Sequence, residues 1–517
     1  MAFRSPHPDV LIPDLPLTDY VLGDVAADDD RPAMVDGLSG RTITFGQLAE
    51  GVRRLAAGLS RRGIAKCDVV AIWAPNLPEY AVVFHAVSRI GAVLTTANPV
   101  YTAEELAFQL RDAAARLIVT TGALLERARG AVAAAECDIE IVTIDEVDGV
   151  PSLAAVAVDG DPPPVSIDPA TDVVVMPYSS GTTGLPKGVM LTHRNLVANL
   201  AQIDALEPHE LCAFVAVLPF FHIYGMVVIM NLALLRRATS VTLPRFDLEA
   251  FLRVLQEWPI ALAHIVPPIA VALAKHPVVD NYDLSNLRWL FSGAAPLGAP
   301  LTEAVQARLN VRVRQGYGMT EASPATHYTV PGADRAGKIG PLMPSTEGRI
   351  VDTETGADLG AGHAGEVWVR GPQVMKGYLN NPEATARTVT SDGWLRTGDI
   401  GVVDDDGYLE IVDRLKELIK VKGFQVAPAE LEALLLKHPN IADAAVIPVK
   451  DEESGEVPKA VVVARAPMTE DEVKAFVAEH VAHYKRVRHV AFAPSIPKSA
   501  SGKILRRVLV ARERAPA

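Results

Sequence analysis

Two hydrophobic periods alternate along this chain. Apolar residues recur at helical spacing over 45–59 and 80–93, while the continuous apolar runs 69–74 and 117–121 read as buried strands. That alternation predicts an α/β fold. Between 365 and 411 the apolar pieces are short and divided by Gly, Asp and Asn, which predicts β structure. Beyond Asp413-Arg414-Leu415-Lys416-Glu417 a self-contained pattern begins. Pro428 opens a helix with Leu431, Leu434 and Leu435 on one face, and 444–449 and 460–464 read as strands. Thr469 and Glu472 form a capping box for a helix whose face is Val473, Phe476, Val477, His480 and Val481, and 489–492 closes as a strand. The expected architecture is a large N-terminal α/β unit followed by a small α+β unit of about 100 residues.

The bulk properties narrow the function. With 517 residues, the chain exceeds a single ordinary core. Its net charge of −13 argues against general nucleic-acid binding, although a local basic groove could still take a nucleotide. Cys67, Cys137 and Cys212 are few, scattered and without metal-ligand spacing, so a reducing cytoplasm fits better than a disulfide scaffold. The N-terminus lacks a hydrophobic export core, and the apolar stretch 227–235 is too short to span a bilayer. A cytoplasmic protein with no integral membrane segment is expected, and the oligomeric state stays open.

Four motifs carry chemistry. Ser179-Ser180-Gly181-Thr182-Thr183-Gly184-Leu185-Pro186-Lys187-Gly188 lies between apolar runs. Its glycines let the backbone approach an anion, its hydroxyls donate, and Lys187 adds a point charge. Gly188 follows Lys187 where a P-loop needs Ser or Thr, so this phosphate loop belongs to another lineage. In Gln315-Gly316-Tyr317-Gly318-Met319-Thr320-Glu321, Tyr317 offers a flat face to a purine, Thr320 a donor for an α-phosphate, and Glu321 a hard oxygen ligand for Mg²⁺. Asp399, in Trp394-Leu395-Arg396-Thr397-Gly398-Asp399, suits ribose hydroxyls. Lys503 follows Ser501-Gly502 near the C-terminus, where a mobile cation suits displacement at an α-phosphoryl group.

The decamer resembles the signature loop of the adenylate-forming ligases. Leu218-Pro219-Phe220-Phe221-His222-Ile223-Tyr224-Gly225, Ser292-Gly293-Ala294-Ala295-Pro296-Leu297, Gly365-Glu366-Val367-Trp368-Val369-Arg370-Gly371 and the run 412–430 extend the resemblance to nearly the whole chain. It is similar to the acyl-CoA synthetase, adenylation-domain and luciferase superfamily, and within it to the 4-coumarate–CoA ligase-like group. It departs from that group at Trp368, where Cys is common.

The resemblance implies a two-step reaction with ATP, Mg²⁺ and coenzyme A: a carboxylic acid is adenylated, then transferred to the thiol. It also implies an N-terminal adenylation domain (1–412), a hinge (413–417) centred on Lys416, and a mobile C-terminal lid (418–517). Lys503 is implied in the first step, and Asp399 and Arg414 at the ribose. Lys420 and Gln425 would approach the nucleotide in one lid orientation, while Lys422 and Gly423 would border the thioester site in the other. His222 would gate an acyl pocket built from Tyr224, Val228, Phe291, Ala294 and Gly316. These residues are apolar with one phenol, and no carboxylate in these stretches would receive an amino group, so a 4-coumarate-like arylpropenoate or a medium-chain fatty acid is expected rather than an amino acid. A carrier-protein-loading enzyme, a luciferase-like oxygenase and a nucleotide-binding regulator are the rival readings.

Overall fold

The structure is a computed structural model that describes residues 2–179, 186–208, 210–415, 417–421, 424–451, 454–481, 483–499 and 502–514; the side chains of Arg414, Lys420, Phe424, Gln425 and Arg514 fall outside the description. Architecture is mixed α/β, with a large N-terminal part and a smaller C-terminal part, as the hydrophobic pattern predicts.

A seven-stranded sheet runs in the order Gly377–Tyr378, Lys187–Thr192, Val173–Ser179, Val93–Thr96, Val69–Trp73, Ala115–Thr120, Glu140–Thr143. Its interior is parallel and its Gly377 edge antiparallel. The helix Phe45–Arg61 starts where Thr44 and Gln47 cap each other reciprocally, and Thr192 with Asn195 does the same for His193–Asp204. The expected helix 80–93 is shorter: it ends at Arg89, Gly91 takes φ +69°, and Val93 opens the next strand. Only glycine turns there without strain.

A second sheet sets Leu262–Ile265, Trp289–Ser292 and Arg312–Gly318 in parallel, with Ala325–Tyr328 antiparallel at its edge. A third joins Ala213–Ala216, Thr239–Thr242, Pro32–Asp36 and Thr42–Thr44. An antiparallel sheet carries Gly365–Arg370, Leu395–Val403 and Leu409–Arg414. The β expectation for 365–411 holds except for one short helix, Pro382–Thr388, capped by the Asn381 side chain. The apolar stretch after Tyr224 is not a span but a wide, buried π-turn, Tyr224–Asn231, with the Asn231 amide donating to the Met226 carbonyl.

The C-terminal part has its own sheet and its own core, in which Leu431, Leu435, Val446, Val462, Val473 and Val477 meet. The Thr469–Glu472 capping box is present, but its helix buries only Val473 and Val477 and leaves His480 exposed. Arg506 ties the last helix to Glu432 at 2.6 Å and to Glu417.

Candidate active site

The phosphate-loop decamer sits on a hairpin. Ser179 ends one strand opposite Lys187, which starts the next. Ser180, Gly181, Thr182, Thr183 and Gly184 lie outside the described residues. Lys187 places its ammonium 4.3 Å from the centre of the Tyr378 ring. Gly188 is wedged between Tyr178 and Leu379, and a Cβ there would stand 3.2 Å from both.

The second motif leaves the carboxyl end of a central parallel strand, the usual place for ligands in such sheets. At Gly318 the register shifts, and a Cβ would fall 2.0 Å from the Pro324 carbonyl oxygen. This close approach forces the chain into the tight turn Thr320–Ala322 that carries Glu321. The Tyr317 hydroxyl donates to Asp399 at 2.7 Å, which joins two motifs 82 residues apart. Asp399 stands opposite Arg414 across adjacent strands, and the Glu366 carboxylate fastens the neighbouring Gly398 N–H at 3.0 Å. The Gly-Glu box therefore shapes the Asp399 turn, while its Trp368 lies between the guanidinium groups of Arg349 and Arg396. The Gln315 amide is engaged on both the N–H and the carbonyl of Leu297, holding the Ser292–Leu297 loop.

Glu321 is buried and accepts a 2.8 Å hydrogen bond from the Tyr378 hydroxyl. Among the described residues no group of three His, Cys, Asp or Glu side chains is gathered to hold a metal. One carboxylate fits Mg²⁺ in the way this ion is usually taken, with substrate phosphates completing its shell.

The residues expected around the acyl chain come together. Tyr224 donates from its hydroxyl at 3.2 Å to the Phe291 carbonyl and stands 3.2 Å from His264 Nδ1. A Cβ on Gly316 would lie 2.7 Å from the Phe291 ring, and one on Gly293 3.0 Å from the Tyr224 ring. Val228 is buried one turn beyond Tyr224, and Ala294 holds a left-handed φ of +68° at the rim. His264, Phe291 and Arg314 are cross-strand neighbours. Phe291 is stacked on Tyr328 at 4.3 Å and lies beneath the Arg314 guanidinium at 5.4 Å. Behind this wall Arg314 pairs with Glu207 at 2.9 Å, and Tyr328 donates its hydroxyl to the same carboxylate. Glu207 is thus a buried carboxylate near the pocket that the motif stretches did not contain, and its charge is already matched.

His222 follows a loop held by Asn76, whose side chain bonds the carbonyls of Ala216 and Leu218 and the N–H of Phe220. Its Nδ1 accepts from the Tyr224 N–H at 3.3 Å, so the neutral ring carries its proton on Nε2. Burial, and then the positive charge of Lys503, lower its pKa to about 4. Lys503 belongs to the C-terminal part, and its loop abuts the N-terminal part closely enough that a Cβ on Gly502 would touch Pro268 at 2.9 Å. In this orientation the positive charge of Lys503 is felt at His222. Lys416, Lys422 and Gly423 lie outside the described residues, as do the side chains of Lys420 and Gln425.

The profile of the AMP-binding enzymes matches residues 24–379, and that of the AMP-binding enzyme C-terminal domain matches 430–503. The chain belongs to the AMP-binding enzyme family. It is 46% identical over 529 aligned positions to 4-coumarate–CoA ligase 2 of Nicotiana tabacum, covering 99% of this chain and 97% of that one. It is 45% identical to 4-coumarate–CoA ligase 1 of Petroselinum crispum, with 99% and 97% covered. The ATP-bound crystal structure of MatB from Rhodopseudomonas palustris superposes with a TM-score of 0.87 at 30% identity, over 96% of this chain and 99% of that chain. This AMP-binding enzyme is an AMP-forming acid–thiol ligase that works with ATP. Among its described residues no helix is long and apolar enough to cross a membrane.

Sequence reasoning about this AMP-binding enzyme missed Tyr378, Glu207, Arg314, Tyr328 and His264. A tyrosine in Gly377-Tyr378-Leu379 carries no signal on its own. The others are single residues whose chemistry depends on burial.

Proposed function

We propose that the protein joins a hydrophobic carboxylic acid to coenzyme A, the acid being a 4-coumarate-like arylpropenoate or a medium-chain fatty acid. In the first step an oxygen of the acid attacks the α-phosphorus of ATP and pyrophosphate leaves. In the second the coenzyme A thiol attacks the acyl carbon, loses its proton, and AMP leaves. The observation that carries this reading is the seating of the Lys503 loop against the N-terminal part, where a Cβ on Gly502 would lie 2.9 Å from Pro268. A cation there stabilises charge that builds on the α-phosphoryl oxygens. Asp399, opposite Arg414 and bonded to Tyr317, would hold the ribose, and Thr320 the α-phosphate. Glu321 would take the metal ion that accompanies ATP and neutralises phosphate charge. Residues 180–184 with Lys187 would hold the outer phosphates. Turning the C-terminal part about Lys416 would withdraw Lys503 and admit coenzyme A beside Lys422 and Gly423.

The pocket favours an acid without an ammonium group, because the buried carboxylate behind it is already paired with Arg314. A cytoplasmic setting fits the three exposed, unpaired cysteines. The deciding experiment assays a panel of aromatic propenoates, linear fatty acids and amino acids with ATP and coenzyme A. Thioester formed from hydrophobic acids is expected. Preference for a free amino acid, or acid-dependent pyrophosphate exchange with no thioester from any hydrophobic acid, would refute it.

A further inference from the structure

Tyr378 belongs to none of the motifs, yet it touches two of them. Its two-residue strand pairs with Val189 and Met190, and the Leu379 N–H bonds the Gly188 carbonyl at 2.8 Å, so its backbone is registered against the strand that begins at Lys187. A hydrogen bond of 2.9 Å from its N–H to Thr385 Oγ1 ties it to the helix Pro382–Thr388. From this anchored position the side chain serves groups of opposite charge. The ring lies 4.3 Å from the Lys187 ammonium, where the negative quadrupole of an aromatic face attracts a cation. The hydroxyl donates to Glu321 Oε1 at 2.8 Å.

We infer that Tyr378 is the positioning residue of the phosphate and metal site. Its hydroxyl fixes one Glu321 oxygen and so orients the carboxylate for a magnesium–nucleotide ligand, while its face aims Lys187 at the phosphates. Hydrogen-bond partners of metal-ligating carboxylates fix the ligand's geometry, and losing one costs roughly 10- to 100-fold in metal affinity. This inference rests on the reading of Glu321 as a metal ligand.

The test is binding, measured by calorimetry on the full chain with a non-hydrolysable ATP analogue, with excess Mg²⁺ and separately with EDTA. Tyr378→Phe keeps the ring and removes the hydroxyl. It is expected to lose about tenfold or more of the affinity gained from Mg²⁺ while binding the metal-free analogue as the wild type does. Tyr378→Leu, which removes the ring as well, is expected to weaken metal-free binding too. Melting curves check that both variants fold, and Tyr378→Trp, which also keeps an aromatic face, stands in if the Phe variant does not. An unchanged Mg²⁺ gain in Tyr378→Phe, or equal loss with and without the metal, would overturn the inference. A wild type whose affinity for the analogue ignores Mg²⁺ would overturn it together with the metal role of Glu321. The acid panel fails independently of either, since it reads the products.

Discussion

Arg314 and Glu207 form an ion pair at 2.9 Å with both side chains at 0% exposure, directly behind the ring of Phe291. Both charges have left water, so each depends on the other and on the Tyr328 hydroxyl. Glu207→Leu should therefore cost about 3–5 kcal/mol, because it leaves a buried guanidinium unpaired. Adding Arg314→Met should restore most of that loss, since an apolar pair of similar volume tolerates the same cavity. Urea unfolding of the single and double variants measures both, and a single variant that unfolds at the wild-type midpoint would contradict the pairing.

Removing the Lys503 ammonium should separate the two half-reactions. Lys503→Ala is expected to slow acid-dependent pyrophosphate exchange by about 10²–10³ or more, as loss of a transition-state donor does. The reaction of preformed acyl-adenylate with coenzyme A should be largely spared. Lys416→Pro should show the reverse split, because proline fixes φ at the point where rotation is proposed. Parallel losses in both assays for either variant would mean that it acts on structure.

In the proposed acyl pocket, Phe291 would limit the depth. Its ring is fixed by Tyr328 at 4.3 Å and by His264 at 5.5 Å, and the absence of a Cβ at Gly316 gives it room. Phe291→Ala should shift the preference in kcat/KM toward longer acids, by about tenfold for one or two added methylenes. An unchanged chain-length profile in a folded variant would place the acyl chain elsewhere.

Acid should destabilise the fold early. Burial lowers the pKa of His85, His264 and His327 to about 3 and of His193 to about 4; for His222, also at about 4, burial acts together with Lys503. When the chain unfolds these imidazoles return to a pKa of about 6.5 and bind protons that the folded state refuses. The unfolded state then holds more protons below that value, so stability is complete above pH ~6.5 and falls as the pH drops toward 4. Urea midpoints measured from pH ~8 to pH ~5 should decline steadily below 6.5. A flat profile there would show that the histidines are protonated in the fold.

Local signals made much of this structure legible. Thr469 and Glu472 announced their helix because both halves of a capping box are written three residues apart. The decamer, Tyr317 and Asp399 could be read because each motif is contiguous, and the Tyr317–Asp399 contact then brought two of them together. Helix 80–93 was overrun although Gly91 carried the break. The helix at Pro382 was missed although Asn381 and Pro382 are a cap followed by a favoured first residue. Arg314 was illegible for a different reason. It lies two positions from Arg312 on one strand and so shares its face, yet Arg312 is exposed while Arg314 is enclosed. Only the fold supplies Glu207, 107 residues away, to receive it.

The row His264, Phe291 and Arg314, closed from behind by Glu207, also constrains how such a pocket can change over generations. A lone replacement of either charged member strands its partner, so drift at these two positions is penalised until both move together. Laboratory libraries that randomise Phe291 alone sample only part of the accessible shapes, and those that vary Glu207, Phe291 and Arg314 jointly reach the rest.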